Sequence, residues 1–315
     1  MIEIQHLTKR YGDKIAVNDA SFTIRKGEIL GFLGRNGAGK TTTMNMITGY
    51  ISASSGTVKL DGYDILDDPR EVKRRIGYLP EIPPLYVDMT VNEYLRFVCA
   101  IKDVKPSKRS AHIADITELI GLGEVRGRLI RNLSKGYRQR VGMAQALVGN
   151  PEVVILDEPT VGLDPGQILE VRRLIRQLGE DHTIVLSSHI LPEVADVCDR
   201  LVIIHEGRIV AEDTLEHLIQ TDDESRKIRL RIAGPEEKIA ESLRTMAGVR
   251  RVDSLGSREK ESFDFLLYAD GTRDLRPAVF RRMAELGYPI LIQRPVDLEL
   301  EEVFLRLTGG SGEEA

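Results

Sequence analysis

GRNGAGKTT, residues 34–42, decides the fold. It fits the spacing GxxxxGK[ST] and follows the apolar run ILGFL. From Lys40 to Ile47 the pattern turns helical, and Gly49 ends it. Glycines at these positions let backbone N–H groups face a phosphate chain at a helix N-terminus, which makes the loop an anion nest. Lys40 is placed to reach the β- and γ-phosphates, and the Thr41 hydroxyl to hold Mg2+. Strand, loop and helix together predict a nucleoside-triphosphate site. Alone they do not separate a kinase, a GTPase and an ATPase.

Two other apolar runs end in chemistry. VVILDEPTVGLDP, residues 153–165, is a β-branched strand ending in Asp157 and Glu158. A buried strand delivers such residues to the C-terminal edge of a parallel sheet, where α/β folds bind ligands. Asp157 is suited to order a Mg2+ shell. Glu158, aimed differently, is suited to polarise an attacking water. TIVLSSH, residues 183–189, ends in His189, which can hydrogen-bond a γ-phosphate oxygen or that water.

Around these segments the order of elements is that of an α/β domain with a largely parallel sheet. Residues 1–33 read as strands punctuated by Gly12 and Gly27, and 57–80 return to strand character. Residues 90–148 are mostly helical, with breaks at Pro106 and near Gly121–Gly127. A helix is predicted over 167–178 and a hairpin in LVIIHEGRIVAE. Near Gln220 the composition shifts to a charged link, expected over 219–226. Beyond it the order β-α-β-β-α-β predicts a ferredoxin-like accessory α+β domain, 227–309, closed by a helix in DLELEEVFLRLTG. It carries no catalytic constellation, and a disordered tail is expected over 310–315. The first domain is placed at 1–218, with its helical subdomain at about 90–148.

Composition narrows the class. Of 315 residues, 42 % are hydrophobic and 30 % charged, which suits a globular chain of about two domains. A net charge of −5 gives no general electrostatic case for nucleic acid. Cys99 and Cys198 are widely spaced, so neither a zinc site nor a disulfide framework is implied, and a reducing compartment fits. The N-terminus has no signal-peptide pattern, and the apolar runs fall short of the about 20 residues a membrane span needs. Any membrane role is therefore expected to come through a separate chain.

LSKGYRQR, residues 133–140, has a Ser and a Gly opening an apolar helix pattern, yet no base, nucleophile or metal-ligand spacing. Taken in order with the other motifs, it resembles the signature of the ATP-binding subunits of ABC transporters. The resemblance covers about residues 1–215. GRNGAGKT looks like Walker A, VVILDEP like Walker B with its catalytic Glu158, VGLDP like the D-loop with Asp164, and SSH like the switch His189. The resemblance implies a P-loop ATPase of ABC type, with a parallel core sheet, an antiparallel N-terminal β-subdomain and a helical subdomain. It implies ATP and Mg2+ as cofactors. ATP-binding residues would be Tyr11, stacked on adenine, with Val17, Gly34, Arg35, Asn36, Gly37, Ala38, Gly39, Lys40, Thr41, Thr42 and Glu81. Metal contacts would come from Thr41, Asp157 and Glu81.

In that family two subunits pair head to tail, and the signature of one closes on the ATP of the other. Ser134, Lys135, Gly136 and Tyr137 would thus bind ATP in trans. Ser134 reads as an N-cap whose helix points its N–H groups and positive end at an anion. Four positions depart from the pattern, one of them Arg35, which stands where Pro is common in Walker A. Lys135 replaces a Gly and Tyr137 a Gln of the signature, and Glu81 stands where a Gln is usual. LSKGYRQRVGMAQAL, the Q-loop Glu and LEEVFLRLTG look like the type-2 exporter branch, including subunits named for gliding motility. That implies transmembrane permease subunits as partners, a homodimer or paired ABC ATPase subunit, and a place on the cytoplasmic face of the membrane. The alternatives are a soluble ABC ATPase acting on ribosomes or DNA, and a non-hydrolysing nucleotide-dependent regulator. A single cassette without a coiled-coil insertion opposes the first. Asp157, Glu158 and His189 oppose the second.

Overall fold

The computed structural model describes residues 1–220, 227–257, 259, 261–270 and 274–296. The expected final helix over 297–309, the tail over 310–315 and most of the expected link over 219–226 lie outside the described residues. The chain forms two compact units, with the division in sequence between Leu215 and Glu216.

The first unit opens on an antiparallel hairpin, β1 (Ile2–Tyr11) and β2 (Lys14–Ile24). β3 (Ile29–Leu33) is buried at every position, as a central parallel strand must be. It leads through the Gly-rich loop into α1 (Lys40–Ile47). β4 (Ser55–Leu60) and β5 (Tyr63–Asp64) complete the antiparallel sheet, in the order β2-β1-β4-β5. A short helix follows, α2 (Pro69–Arg75), where strand character was expected across 57–80. Its signals are terminal rather than periodic: Pro69 sits in the first turn with Glu71, and Lys73, Arg74 and Arg75 in the last, as the helix dipole favours.

β6 (Ile76–Leu79) returns to the core sheet. The helical subdomain comprises α3 (Val91–Ile101), α4 (Pro106–Leu119) and α5 (Lys135–Leu147). A capping box starts α3, with the Thr90 hydroxyl accepting from the Glu93 N–H and the Glu93 carboxylate accepting from the Thr90 N–H. β7 (Val153–Asp157), α6 (Pro165–Gly179), β8 (Thr183–Ser188), α7 (Leu191–Ala195), β9 (Arg200–His205), β10 (Arg208–Asp213) and α8 (Leu215–Gln220) follow.

The core sheet runs β10-β9-β3-β8-β7-β6, parallel except for β10. One apolar core joins both sheets of this unit. Ile4, Phe22 and Val58 come from the antiparallel sheet, Phe32, Ile155, Val185 and Val202 from the parallel one, and Met44, Met46 and Ile47 from α1. Each fully buried aliphatic or aromatic side chain stabilises by roughly 1.5–3 kcal/mol, so the helix that follows the phosphate loop is anchored on its apolar face.

The second unit contains β11 (Lys227–Ala233), α9 (Glu236–Arg244), β12 (Val249–Ser254), β13 (Ser262–Ala269), α10 (Arg276–Glu285) and β14 (Ile290–Val296). The sheet order β12-β13-β11-β14, antiparallel throughout, is the split β-α-β arrangement. Ile228, Leu230 and Ile232 face Ile239, Leu243, Val279 and Met283 in a core of its own.

Candidate functional site

Parallel pairing puts the ends of β3, β6, β7 and β8 on one edge of the sheet. The residues that follow those strands meet there. Gly34 begins the phosphate loop after β3. Glu81 follows β6, Asp157 ends β7 with Glu158 just after it, and His189 follows β8. Asp157 pairs with Ser187 across the adjacent strands β7 and β8, and the Glu158 N–H donates to the Ser187 carbonyl at 3.1 Å.

The loop has left-handed backbone at Gly37 and Gly39. Gly39, the N-cap of α1, has φ +112°, and a Cβ there would lie 2.7 Å from the Ala16 carbonyl oxygen. The loop is therefore pressed against β2, and an added methyl group would push it away.

Lys40 is buried beneath the loop. Its Nζ donates to the Gly34 carbonyl at 2.8 Å and to the Arg35 carbonyl at 3.4 Å, and lies 3.3 Å from Glu158 Oε1. His189 Nδ1 lies 2.8 Å from Glu158 Oε2 and 3.0 Å from Oε1. The Glu158 carboxylate is thus held between two cation-capable groups while nearly buried. Its backbone has φ +49°, a region a non-glycine residue rarely adopts and one that clusters at functional sites.

Asp157 is fully buried. Ser187 Oγ donates to its Oδ1 at 2.6 Å, while Oδ2 has no partner among the described residues. Burial raises its pKa above the usual carboxylate range. The hydroxyls of Ser187 and Thr41 pull the other way, and the charges of Glu158 and Glu81 raise it further.

A cleft of about 860 Å³ opens over Lys40, Glu158 and His189, whereas the fully buried Asp157 does not line it. Tyr11, Asn36, Gly37, Gly39, Lys40, Thr41, Thr42, Glu81, Glu158 and His189 line it. Tyr11 is 50 % exposed, with Lys9 Nζ 5.2 Å from its ring centroid. Gly34, Arg35 and Ala38 do not line the cleft. Gly34 packs on Ile204, Ala38 joins the core, and Arg35 faces solvent. Val17, expected among the ATP contacts, is instead a fully buried core residue. Its neighbours Ile15 and Ala16 line the cleft, with Lys14, Val161, Glu206 and Gly207, none of which a motif announces.

The LSKGY segment lies elsewhere. Ser134 caps α5, its Oγ accepting from the Tyr137 N–H at 3.3 Å. With Gly136, Tyr137, Arg140 and Gln167 it lines a second cleft of about 570 Å³. The two clefts share no lining residue. The side chain of Lys135 lies against Gly162, where a Cβ would fall 1.9 Å from Nζ. Asp164 caps α6, accepting from the Gln167 N–H at 3.0 Å.

The sequence profile described as ABC transporter matches residues 17–161. The bacitracin transport ATP-binding protein BcrA of Bacillus licheniformis is 41 % identical over 220 residues, 69 % of this chain and 71 % of that protein. The Nod factor export ATP-binding protein I of Burkholderia orbicola (strain AU 1054) is 35 % identical over 309 residues, 98 % of this chain and 97 % of that one. The chain belongs to the ATP-binding subunits of ABC transporters. Among solved structures, the ATP-binding subunit of an ABC transporter aligns with TM-score 0.65 at 30 % identity, covering 70 % of this chain and 92 % of its own. A dimeric bacterial ABC transporter cassette aligns with TM-score 0.63 at 25 % identity, covering 68 % and 99 %. This ABC subunit is accordingly an ATPase with an α/β cassette fold. No described helix is long and apolar enough to cross a membrane.

Proposed function

We propose that the chain drives an exporter whose permease is a separate membrane protein, and that it acts on the cytoplasmic face as a dimer of cassettes. Two relatives are named for bacitracin transport and Nod factor export. The observation that carries the mechanism is the separation of the two clefts. Lys40, Thr41, Glu81, Glu158 and His189 share one, while Ser134, Gly136 and Tyr137 line the other. A second copy turned head to tail would bring its signature to the ATP that this copy's phosphate loop holds. Residues 1–218 would be the ATP-binding domain and residues 227–309 an accessory domain.

Within the nucleotide cleft each residue has a distinct task. The loop N–H groups and Lys40 bind the phosphate chain, and Tyr11 stacks on adenine. The unpartnered Oδ2 of Asp157, the Thr41 hydroxyl and the Glu81 carboxylate form an all-oxygen set suited to Mg2+ and its waters. Bound there, Mg2+ neutralises phosphate charge. Glu158 takes a proton from the water that attacks the γ-phosphorus as the bond to the ADP oxygen breaks. His189, 2.8 Å from Glu158, fixes that carboxylate and can reach the γ-phosphate. Ser134 and the start of α5 supply N–H groups and a positive dipole end to the same phosphate in trans.

Exposed apolar side chains that follow Glu81 in sequence would form the docking face for the permease. Ile82 is 82 % exposed, with Tyr86, Val87, Phe97 and Ile101 also exposed, and the Tyr86 and Phe97 rings meet edge to face at 5.2 Å. Glu158→Gln tests the chemistry. ATP-dependent dimers should accumulate while turnover falls by about 10²–10⁴. Turnover at the wild-type rate would remove Glu158 from the role of base.

A further inference from the structure

We infer that Glu206 reads the base of the nucleotide, accepting a hydrogen bond from the exocyclic amine of adenine. This deepens the nucleotide-site reading above and rests on it.

Glu206 and Gly207 form the two-residue turn between β9 and β10, with His205 paired to Arg208. Both have positive φ, +46° and +78°. Such a turn favours Asn-Gly, Asp-Gly or Gly-Gly, because both central residues must enter left-handed backbone. Glutamate fits that position poorly, so the hairpin itself gives no reason for this side chain.

The turn is tied to the nucleotide site. The Gly207 N–H donates to the Ala38 carbonyl in the phosphate loop at 2.9 Å, and the Gly207 carbonyl accepts from the Asn18 N–H at 2.8 Å. A Cβ at position 207 would fall 2.8 Å from the Ala16 carbonyl oxygen. The turn therefore cannot move independently of the loop or of β2. Glu206 lines the nucleotide cleft along with Tyr11, Lys14, Ile15 and Ala16, the residues contributed by the β1–β2 hairpin.

Charge decides which part of the nucleotide Glu206 meets. A carboxylate facing the triphosphate would be repelled by it. Glu81 and Glu158 have a cation and a water to serve. Glu206 has neither, and among the described residues it makes no hydrogen bond or ion pair. Tyr11 offers the stacking surface for the base. A carboxylate can only accept, so it favours a base edge bearing an N–H donor and disfavours one bearing a keto oxygen. The N6 amine of adenine supplies that donor.

The test compares binding of ATP with purine riboside triphosphate, which lacks only the N6 amine, by calorimetry. The wild-type chain should bind ATP about tenfold more tightly. Glu206→Gly, which suits the left-handed turn and keeps the fold, should make the two equal. Glu206→Gln, which retains an acceptor, should restore part of the preference. Tyr11→Ala should weaken both nucleotides alike. Equal binding by the wild type, or an unchanged preference in Glu206→Gly, would overturn the inference. If neither nucleotide binds, or Tyr11→Ala changes nothing, the nucleotide-site reading fails instead.

Discussion

Asp157 and Asp264 are both buried aspartates on inner strands of their sheets, yet they are satisfied in opposite ways. Asp264, in the second unit, accepts from Arg231 Nε at 2.6 Å, Arg231 Nη2 at 3.1 Å and Arg229 Nη2 at 3.0 Å. The Arg231 hydrogen bond leads in drawing its pKa down to about 2. Asp157 has a 2.6 Å hydrogen bond from Ser187, the Thr41 hydroxyl and two further carboxylates nearby, and burial moves its pKa up. A fold that merely needed a polar group at the end of β7 would pair it, as β13 pairs its own. An Asp157 left half satisfied, beside Thr41 and Glu158, is what the proposed cation site would require.

That contrast can be broken by paired substitutions. Asp157→Asn should lower ATP turnover by roughly 100-fold. It should leave unfolding free energy unchanged or raise it by about 1 kcal/mol, since it removes a poorly compensated buried charge. A large loss of stability in denaturant titrations would place Asp157 with Asp264 as a structural residue. Asp264→Asn should do the reverse. It should destabilise the second unit by about 3 kcal/mol and leave ATP affinity unchanged. The smallest effect is in acid. Because the folded pKa of Asp264 lies below its unfolded value, its contribution is present above about pH 4. It is lost as pH falls toward 2. Thermal unfolding followed over that window should show this dependence in the wild type and not in Asp264→Asn.

How much of this the sequence discloses depends on whether a role is local. The phosphate loop is legible because its glycines, Lys40 and Thr41 are contiguous and act through their own backbone. Asp157, Glu158 and His189 are legible because each ends an apolar strand, and parallel strands share an edge. The signature's independence of its own chain's phosphate loop entered through family resemblance, and the two separate clefts give it a structural counterpart. Val17 went astray at an irregularity of the β1–β2 register: Ile15 and Ala16 both line the cleft, and Val17 turns into the core. Glu206 could not be read at all. It reaches the cleft only because β9 pairs with β3, far from it in sequence. The helix α2 was hidden because it buries one side chain, Val72, and so has no periodicity to detect. In the second unit the alternation of Ile228, Leu230 and Ile232 with charged neighbours made β11 plain. The pairing of Arg229 and Arg231 with Asp264 needed the strand register.

On the proposed function, each chain carries two half-sites that only a second copy completes. The most direct test mixes two variants, Lys40→Ala and Ser134→Arg, each disabled in one half-site. Alone, each should form no functional site. Mixed in equal amounts, about a quarter of wild-type sites should return, since half of random pairs are mixed and each rebuilds one site of two. Phosphate release from the mixture well above the mean of the separate variants is the predicted result. Release no greater than that mean, with mixed dimers shown to form, would contradict the shared site.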